Sequence, residues 1–495
     1  MADVFSRSTL HEGREAAICL ALGNSKIAER EQVLILRILL DHGAKADTET
    51  QFKGTPLHYA GKLGRHRVLQ MLLSQGEMVK VNAQDGRGMT PLHRAVIGWN
   101  DHKGGSTAST ACVRLLVEAK ADVEIGDDQG HMPVHWAAGK GRSEIMHFLI
   151  DRFPGLVNQR CVIKGSTPLH WASGWGHNDM VVYLFEKGAN PTITDRRGKM
   201  ALHWAARYGR VPIVDNIIRK LREMTSLDLI DRREEWGRTA LLWASLKGHS
   251  SCALKLIDNG ADINIGESMT DDGGGTPLSY TLGNNSRDKY RIIASELLKR
   301  GAQIQHECHS KRSAVLWAAR GGDIEIFDEV CKMTEAETRQ LVDINECDEF
   351  KGSTAFMLAA SWGHLDMLKH MRSRFPDLNV NIRDEEGNTA LMIAAGWGRL
   401  EVVRWLCQTF LGSGLDIDLQ NKEGQTALHR AAHWDKDSVI SELLYHGAEE
   451  SIQDAKGRDY HALQQQREDM KNAYQPKSNI GRRIHLPRLL HGPIL

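Results

Sequence analysis

The sequence has no long apolar run and no excess of charge of either sign. Nowhere in its 495 residues do 18 consecutive apolar residues occur, so we expect no segment to span a bilayer. Lysine plus arginine equals aspartate plus glutamate at 63 each, whereas nucleic acids and acidic membranes attract basic surfaces. The start, MADVFSRSTLHEG, lacks the charged-then-apolar plan of a secretory signal. We therefore expect neither direct nucleic-acid binding nor membrane attachment.

The cysteines lack any pairing pattern. They stand at positions 19, 112, 161, 252, 308, 331, 347 and 407. We interpret them as buried free thiols in a reducing compartment, which makes the protein cytoplasmic or nuclear. A metal site within the run His306-Glu307-Cys308-His309 is disfavoured, because a closed zinc site takes four ligands, typically as two spaced pairs, and no second pair is obvious. We expect no metal and no cofactor.

The common motifs of catalysis are absent as well. The sequence contains no GxxxxGK[ST], HExxH, GxSxG or paired CxxC pattern. Asp179 and Asp366 are carboxylates that fall at the start of predicted helices, where the helix dipole favours acids in any case. We therefore expect a protein that is not an enzyme.

A repeated unit is the main feature that the sequence does contain, and residues 165–190 show it most clearly: GSTPLHWASGWGHNDMVVYLFEKGAN. Pro168 stands where a helix can begin, and Gly174 and Gly176 break that short first helix. A second apolar run at helical spacing follows, and Gly188 ends it like a left-handed C-cap. Helices below ~12–15 residues are marginal alone in water, so the unit must stack on copies of itself.

Copies of this unit occupy nearly the whole chain. The residue equivalent to Thr167 recurs at 55, 90, 132, 200, 239, 276, 313, 354, 389 and 426, at spacings of 33 to 42 residues. The motif resembles that of the ankyrin repeat, T-P-L-H-x-A with a period of ~33 residues. The resemblance implies an all-α fold, an ankyrin-repeat solenoid of stacked helix-turn-helix units with short β-hairpin fingers.

Irregular segments interrupt the repeats and suggest domain limits. We expect an N-terminal capping repeat over 1–47, a first stack over 48–265, irregular repeats with long fingers over 266–350, a second stack over 351–455, a C-terminal cap over 456–473 and a tail over 474–495. Terminal units of such arrays are atypical, because one face meets water. Two stacks and one uninterrupted superhelix both fit, and the second is favoured because residues 275–301 keep both helices of a unit.

Histidines recur at one position of the motif, namely His58, His93, His135, His170, His203 and His429. This repetition indicates scaffolding, because one active site does not need six copies of its base. The resemblance implies that the threonine and histidine of the motif hydrogen-bond locally and tie the turn to the helix. Other residues replace the histidine in five units, where we expect a looser turn: Leu242, Ser279, Leu316, Met357 and Met392.

Aromatic residues stand at two positions that share a face of the first helix, four residues apart. For the first position we expect packing between repeats, and its tryptophans are Trp136, Trp171, Trp204, Trp243 and Trp317. For the second position the resemblance implies a place on the concave side, in contact with a ligand. Its members are Trp175, Tyr208, Trp362, Trp397 and Trp434. Packing between repeats is the alternative for these residues too.

The predicted finger tips complete the candidate partner-binding set, with Arg196, Arg197, Trp236, Phe350 and Glu385. The alternative for each is a solvated turn without a partner. The charge of the tips changes sign along the chain, from Arg196-Arg197 to Glu385-Glu386. A partner bound in one orientation could read that difference.

Together these patterns predict a non-catalytic protein–protein interaction scaffold. We expect it to bind a protein partner of unknown identity in the concave groove, to be monomeric by itself, and to act as a regulatory adaptor such as a transcription coregulator. Two alternatives stay open. One is a hydrophobic small-molecule receptor or enzyme that uses the tryptophan-lined groove. The other is a ubiquitin-ligase substrate-recognition subunit, suggested by a short likeness in residues 478–495 of the tail.

Overall fold

Pairs of short helices joined by glycine-rich turns follow one another along the chain. The computed structural model describes residues 18–19, 21–22, 27–49, 54–98, 107–267, 275–284, 288–304, 313–349 and 351–473. The chain divides into two units, Met1–Lys247 with Ser251–Ala261 as unit 1, and Gly248–Ser250 with Asp262–Leu495 as unit 2. Each repeat contributes a first helix, which carries the T-P-L-H-like motif, and a second helix.

Unit 1 contains six first helices among its described residues. They are Pro56–Lys62, Pro91–Ile97, Pro133–Lys140, Pro168–Trp175, Ala201–Arg207 and Ala240–Lys247. The second helices are Glu29–Asp41, His66–Leu73, Thr107–Glu118, Ser143–Arg152, Asn178–Glu186, Val211–Glu223 and Ser250–Asp258, the last with Ser250 assigned to unit 2. Short 3-10 turns add Gly76–Met78, Pro154–Asn158 and Leu227–Asp231.

Unit 2 repeats the plan. Its first helices are Pro277–Leu282, Ala314–Gly321, Ala355–Trp362, Ala390–Trp397 and Ala427–His433, followed by the longer Tyr460–Ala473. Its second helices are Asp288–Lys299, Ile324–Thr338, Leu365–Arg374, Leu400–Phe410 and Asp437–Tyr445, with a 3-10 turn at Leu411–Ser413.

Within each unit, first helices pack on first helices and second helices on second helices. In unit 1, Pro168–Trp175 contacts both Pro133–Lys140 and Ala201–Arg207. The core lies between the two helix layers, where Leu169 and Leu184 of one repeat are buried. Burying such a leucine contributes about 1.5–3 kcal/mol, which offsets the weakness of helices this short. The predicted all-α repeat stack is confirmed.

Tight hydrogen-bonded turns form the fingers. In residues 195–199, the N–H of Asp195 donates to the carbonyl of Lys199 at 2.8 Å, and the N–H of Gly198 donates to the carbonyl of Asp195 at 3.0 Å. Gly198 adopts a φ of 74°, in the left-handed region that glycine tolerates best. Of the described residues, Cys347 and Thr354 form the one isolated β-bridge. The fingers are therefore hairpin-like turns rather than paired strands.

The cysteines follow the buried-thiol prediction with one exception. Cys19, Cys112, Cys161, Cys252, Cys331 and Cys407 are buried and free, and Cys308 lies outside the described residues. Cys347 is exposed, so the prediction is wrong for it, because it stands in the loop before a finger rather than in a second helix. In the part of the chain described here, no helix combines the length and apolar character that crossing a membrane requires.

Candidate partner-binding surface

In three fingers of unit 1 a buried carboxylate at the base joins the finger to its first helix, and these carboxylates belong to Asp85, Asp127 and Asp195. Oδ1 of Asp195 accepts hydrogen bonds from the backbone N–H groups of Arg197 and Lys199, both at 2.9 Å. Oδ2 of the same residue accepts from Nε1 of Trp204 at 3.2 Å. The finger therefore holds the indole of Trp204, which stands at the first of the two aromatic positions of its first helix.

Asp127 repeats this arrangement two fingers earlier in unit 1. Its Oδ1 accepts from the N–H groups of Gln129 and His131, and its Oδ2 accepts from Nε1 of Trp136 at 3.0 Å. Burial alone would raise the pKa of Asp127, but the hydrogen bonds from His131 and Trp136 hold it at about 2. The carboxylate is thus ionised at neutral pH, and its lone pairs are engaged inside the protein.

The motif histidines tie each repeat to the next. Nδ1 of His170 accepts from the N–H of Thr167 at 3.1 Å, so the ring proton sits on Nε2, which donates to the carbonyl of Lys199 at 2.9 Å. Burial lowers the pKa of His135 to about 4 and acts in the same direction on His203. The predicted local tie is confirmed, and the bond to the next repeat is a further contact that the motif alone does not reveal.

In unit 1 the tryptophans at the first aromatic position of the first helix pack between repeats. Trp171 and Trp243 are buried, and Trp204 is half-buried. Trp171 covers Gly139 of the preceding first helix so closely that a Cβ there would lie 2.6 Å from Cε3 of the ring. The glycine is the space that the indole fills, which agrees with the packing interpretation.

The residues at the second aromatic position of the first helix are much more exposed to solvent. The exposed fraction is 57% for Trp175, 48% for Tyr208 and 45% for Trp362, and Trp397 and Trp434 are half-buried. Large exposed aromatic side chains at one repeat position are the residues that binding hot spots use most. Whether they contact a partner stays a prediction, but their exposure leaves them available for one.

In unit 1 a cluster of cations surrounds two tryptophans on this side of the fingers. Nζ of Lys199 lies 4.8 Å from the ring centroid of Trp236 and 4.9 Å from that of Trp243. The guanidinium of Arg238 lies over both rings, at 5.4 Å and 4.9 Å, and that of Arg207 lies 4.6 Å from Trp243. Such contacts are worth about 0.5–2 kcal/mol each. Lys199 and Arg238 thus link Trp236 to Trp243 of a first helix, while a partner contact at Trp236 stays a prediction.

Arg207 extends the cation cluster to Tyr208, a residue of the second aromatic position, because its guanidinium also lies 5.6 Å from the ring of Tyr208. We name the surface formed by the finger tips and the exposed ends of the first helices the finger face. Lys199, Arg207 and Arg238 were missed by sequence reasoning. Aligning the repeats would have found Lys199 and Arg238, because both directly precede the residue equivalent to Thr167.

Arg196 and Arg197 are exposed at the tip of the same finger face. The guanidinium of Arg197 lies 5.2 Å from the ring of Trp236, which belongs to the next finger. The structure therefore brings together three predicted site residues, Arg197, Trp236 and Tyr208, through the intervening cations, while Arg196 stands beside them in sequence.

In unit 2 the finger face has a different charge. Glu385 is exposed, and the neighbouring fingers place Glu386 and Glu423 near Arg430 of a first helix. Burial lowers the pKa of Arg430, and these carboxylates oppose that shift. Trp434 is held beside Arg430, against Gly396 of the preceding repeat. Phe350, the remaining predicted site residue, lies outside the described residues.

The motif histidines use both ring nitrogens on backbone groups, as His170 does, which leaves no free nitrogen for proton transfer to a substrate. Over the described ranges, no group of three or more histidine, cysteine, aspartate or glutamate side chains is placed to hold a metal ion. Residues 306–309 fall outside those ranges.

Comparison with known proteins matches the repeat pattern over most of the chain. The family model of ankyrin repeats (3 copies) matches residues 25–103, 103–195, 190–267, 330–412 and 356–454, which is more than half of the chain. The chain belongs to the ankyrin-repeat family. Ankyrin repeats indicate a protein–protein interaction scaffold, and the finger faces of this ankyrin-repeat chain present the exposed side chains of Trp175, Tyr208 and Trp362.

Three curated relatives of this ankyrin-repeat chain are larger proteins. Ankyrin repeat and KH domain-containing protein mask-1 of Caenorhabditis elegans is 26% identical over 306 residues, which are 61% of this chain and 10% of that protein. Ankyrin repeat protein nuc-2 of Neurospora crassa is 26% identical over 263 residues, 53% of this chain and 19% of that protein. Palmitoyltransferase AKR1 of Saccharomyces cerevisiae is 35% identical over 183 residues, 36% of this chain and 23% of that protein.

The chain thus spans less than a quarter of the length of each of these three relatives. The similarity lies in a minor part of each, and the name of the third describes an enzyme as a whole. What the ankyrin-repeat chain binds must therefore be argued from its own side chains.

Proposed function

We propose that this chain is a non-catalytic regulatory adaptor that binds a partner protein on its finger faces. The observation that carries the proposal is the exposure of Trp175, Tyr208 and Trp362, each at the same position of its repeat. Their neighbours one turn away, such as Trp171, are buried in the contact between repeats. One aromatic position therefore stabilises the stack by packing between repeats, and the other is exposed to solvent.

A long finger face suits a protein partner better than a small molecule. A standard protein interface buries about 800 Å² per partner, and consecutive repeats present contact residues along an extended surface. Small-molecule sites are enclosed, whereas Trp175 and Tyr208 stand more than 40% exposed. Regulatory binding without catalysis, for example as a transcription coregulator in the nucleus or as an adaptor in the cytoplasm, is the role that this surface supports best.

Alanine substitution of the exposed row tests the proposal. We expect the double variant Trp175→Ala/Tyr208→Ala to keep the thermal melting temperature of the wild type, because neither side chain is buried. The same variant should lose the proteins that the wild-type chain retains from an extract of cells that express it. Removing one hot-spot aromatic typically weakens binding by about 2 kcal/mol or more.

Tyr445 provides the matched control. It ends a second helix and is 83% exposed, on the opposite layer of its repeat from the first helices. Tyr445→Ala should leave both the melting temperature and the retained proteins unchanged. Retention that survives Trp175→Ala/Tyr208→Ala but is lost in Tyr445→Ala would place the partner on the second helices and contradict the proposal.

A further inference from the structure

Backbone hydrogen bonds between neighbouring fingers align the tips of unit 1 into a row. The N–H of Val162 donates to the carbonyl of Gly130 at 3.1 Å, and the N–H of Arg196 donates to the carbonyl of Lys164 at 2.8 Å. The N–H of Glu235 then donates to the carbonyl of Arg197, also at 2.8 Å. Each tip is therefore fixed next to the preceding one, and their side chains share one face.

This row carries positive charge that the protein does not neutralise. Lys164, Arg196 and Arg197 are exposed at the tips, and none of them forms an ion pair with a carboxylate of the described residues. The carboxylates at the finger bases cannot serve them. Asp195 is buried and accepts hydrogen bonds from its own finger and from a first helix. Glu234 is buried as well, against Lys199.

Apolar side chains are exposed between these cations. The exposed fraction is 60% for Val162 and 46% for Ile163, both in the finger that also carries Lys164. Trp175 and Tyr208 are exposed at the ends of the neighbouring first helices, and Nζ of Lys140 lies 5.9 Å from the ring of Trp175. Apolar residues this exposed on a rigid turn gain free energy when another molecule covers them.

We propose that the finger face of unit 1, over residues 140–238, binds an acidic peptide segment that also carries apolar side chains. The inference rests on the proposed function and specifies the chemistry of its partner. Carboxylates of the segment pair with Lys164, Arg196 and Arg197, and its apolar side chains cover Ile163 and Trp175. In unit 2 the adjacent carboxylates of Glu385 and Glu386 are exposed at the finger tip whose counterpart in unit 1 carries Arg196 and Arg197, so that face fits such a segment less well.

A nucleic acid is the competing polyanion, and the surface fits it less well. Its phosphates would pair with the arginines and its bases would stack on Trp175 or Tyr208, but Val162 and Ile163 would stay uncovered, because neither side chain stacks on a base. Exposed carboxylates at Asp128 and Glu235 flank the basic tips and would repel a continuous phosphate backbone. Separate glutamates on a peptide can avoid them.

Fluorescence anisotropy with three labelled probes tests the inference on the full chain. The first probe is a peptide of glutamate, leucine and serine of about 16 residues, long enough at ~3.3 Å per residue to cross several fingers. The second replaces each glutamate by glutamine, and the third is a single-stranded oligothymidylate. We expect the acidic peptide to bind about tenfold more tightly than the glutamine peptide, a difference of about 1.4 kcal/mol, and more tightly than the oligothymidylate.

Charge reversal locates the site. Arg196→Glu/Arg197→Glu should weaken binding of the acidic peptide about tenfold, and added salt should weaken binding to the wild type. The matched control is Arg30→Glu/Arg37→Glu, which makes the same charge change at exposed positions of the second helix Glu29–Asp41 and should leave binding unchanged. Circular dichroism confirms that both variants fold.

Equal affinity for the acidic and glutamine peptides, or equal loss in both double variants, would overturn the inference. Tighter binding of the oligothymidylate would overturn it in favour of a nucleic acid. None of these results would remove the proposed function, which depends on the aromatic row and fails separately, when Trp175→Ala/Tyr208→Ala retains every protein that the wild type retains.

Discussion

Lys199 and Glu234 form a buried ion pair that joins two adjacent fingers of unit 1. Nζ of Lys199 lies 3.7 Å from Oε2 of Glu234, and the two side chains are 7% and 0% exposed. Burial lowers the pKa of Lys199 and raises that of Glu234, while the attraction between the two opposes both shifts. At the equivalent place in the preceding finger, the shorter Asp195 bonds to Trp204 instead. The side chain of Glu234 is one methylene longer than that of Asp195, and its carboxylate lies beside Lys199 of the neighbouring finger.

The first prediction concerns this pair. Glu234→Gln should lower the free energy of unfolding by about 3 kcal/mol, because it leaves a buried ammonium without its counter-charge. The double variant Lys199→Met/Glu234→Gln should be more stable than Glu234→Gln alone, since the buried ammonium that lost its partner is then removed. Urea unfolding of these two variants and of the single variant Lys199→Met completes the cycle. A double variant whose loss equals the sum of the two single losses would show that the residues do not interact.

The second prediction concerns two glycines at the same position of their first helices. Gly139→Ala should destabilise the chain by about 1–3 kcal/mol, because the new Cβ would stand 2.6 Å from Trp171, closer than any carbon contact allows. Gly396→Ala is the matched control: its Cβ would meet Arg430 and Trp434 at 3.5 Å, an ordinary contact. Alanine there should be neutral or should stabilise by up to about 1 kcal/mol through helix propensity. Thermal melts that rank the two variants the other way would refute the packing of Trp171.

The third prediction is a dependence of stability on pH. Burial lowers the pKa of His135 to about 4 from a usual value of 6.5. Between these values the unfolded chain binds more protons, so the free energy of unfolding falls as the pH drops from about 6.5 to about 4. By linkage His135 contributes about 3 kcal/mol to this fall, which is absent above pH 6.5.

His135→Leu tests that contribution, because Leu242 occupies the same position of another first helix and is fully buried. The variant should be less stable at pH 7, where it loses the bond to Ser166, yet its stability should fall less toward pH 4. Equal falls in variant and wild type, measured by urea unfolding at several pH values, would mean that this histidine titrates normally in the folded chain.

The fourth prediction separates the two aromatic positions of one helix. Trp171→Ala should lower the free energy of unfolding by about 3–5 kcal/mol, because the buried indole covers Gly139 and its Nε1 donates to Ser166. Trp175→Ala, four residues later and exposed, should change it by less than about 1 kcal/mol. The difference between the two variants in one urea titration is the readout, and similar losses would assign Trp175 to packing.

Sequence reasoning reached the fold because the repeat is local. Pro168, Gly176 and the apolar spacing between Met180 and Leu184 dictate a pair of short helices, and recurrence dictates stacking. The burial of Trp171 agrees with the packing expected at its position, whereas the partner contact expected of the exposed Trp175 stays a prediction.

Contacts between repeats could not be read in the same way. The bond from His170 to the carbonyl of Lys199 spans 29 residues and depends on how the next finger packs beside the first helix of His170, which no local pattern encodes. The Lys199–Glu234 pair depends on one extra methylene at a position where other fingers carry aspartate. The length of the side chain on an otherwise similar finger backbone decides that contact, and the repeat pattern of the sequence does not reveal it.

Site-specific photo-crosslinking tests the central claim most directly, that the finger face is where a partner protein touches the chain. A benzophenone amino acid replaces Trp175, Tyr208 or Trp362 in turn, and Tyr445 on a second helix serves as the control position. After irradiation in an extract of cells that express the protein, gel shifts and mass spectrometry identify the crosslinked protein. We predict a crosslinked partner protein at one or more of the three finger-face positions and none at position 445. A partner crosslinked at 445 and at none of the three would contradict the account.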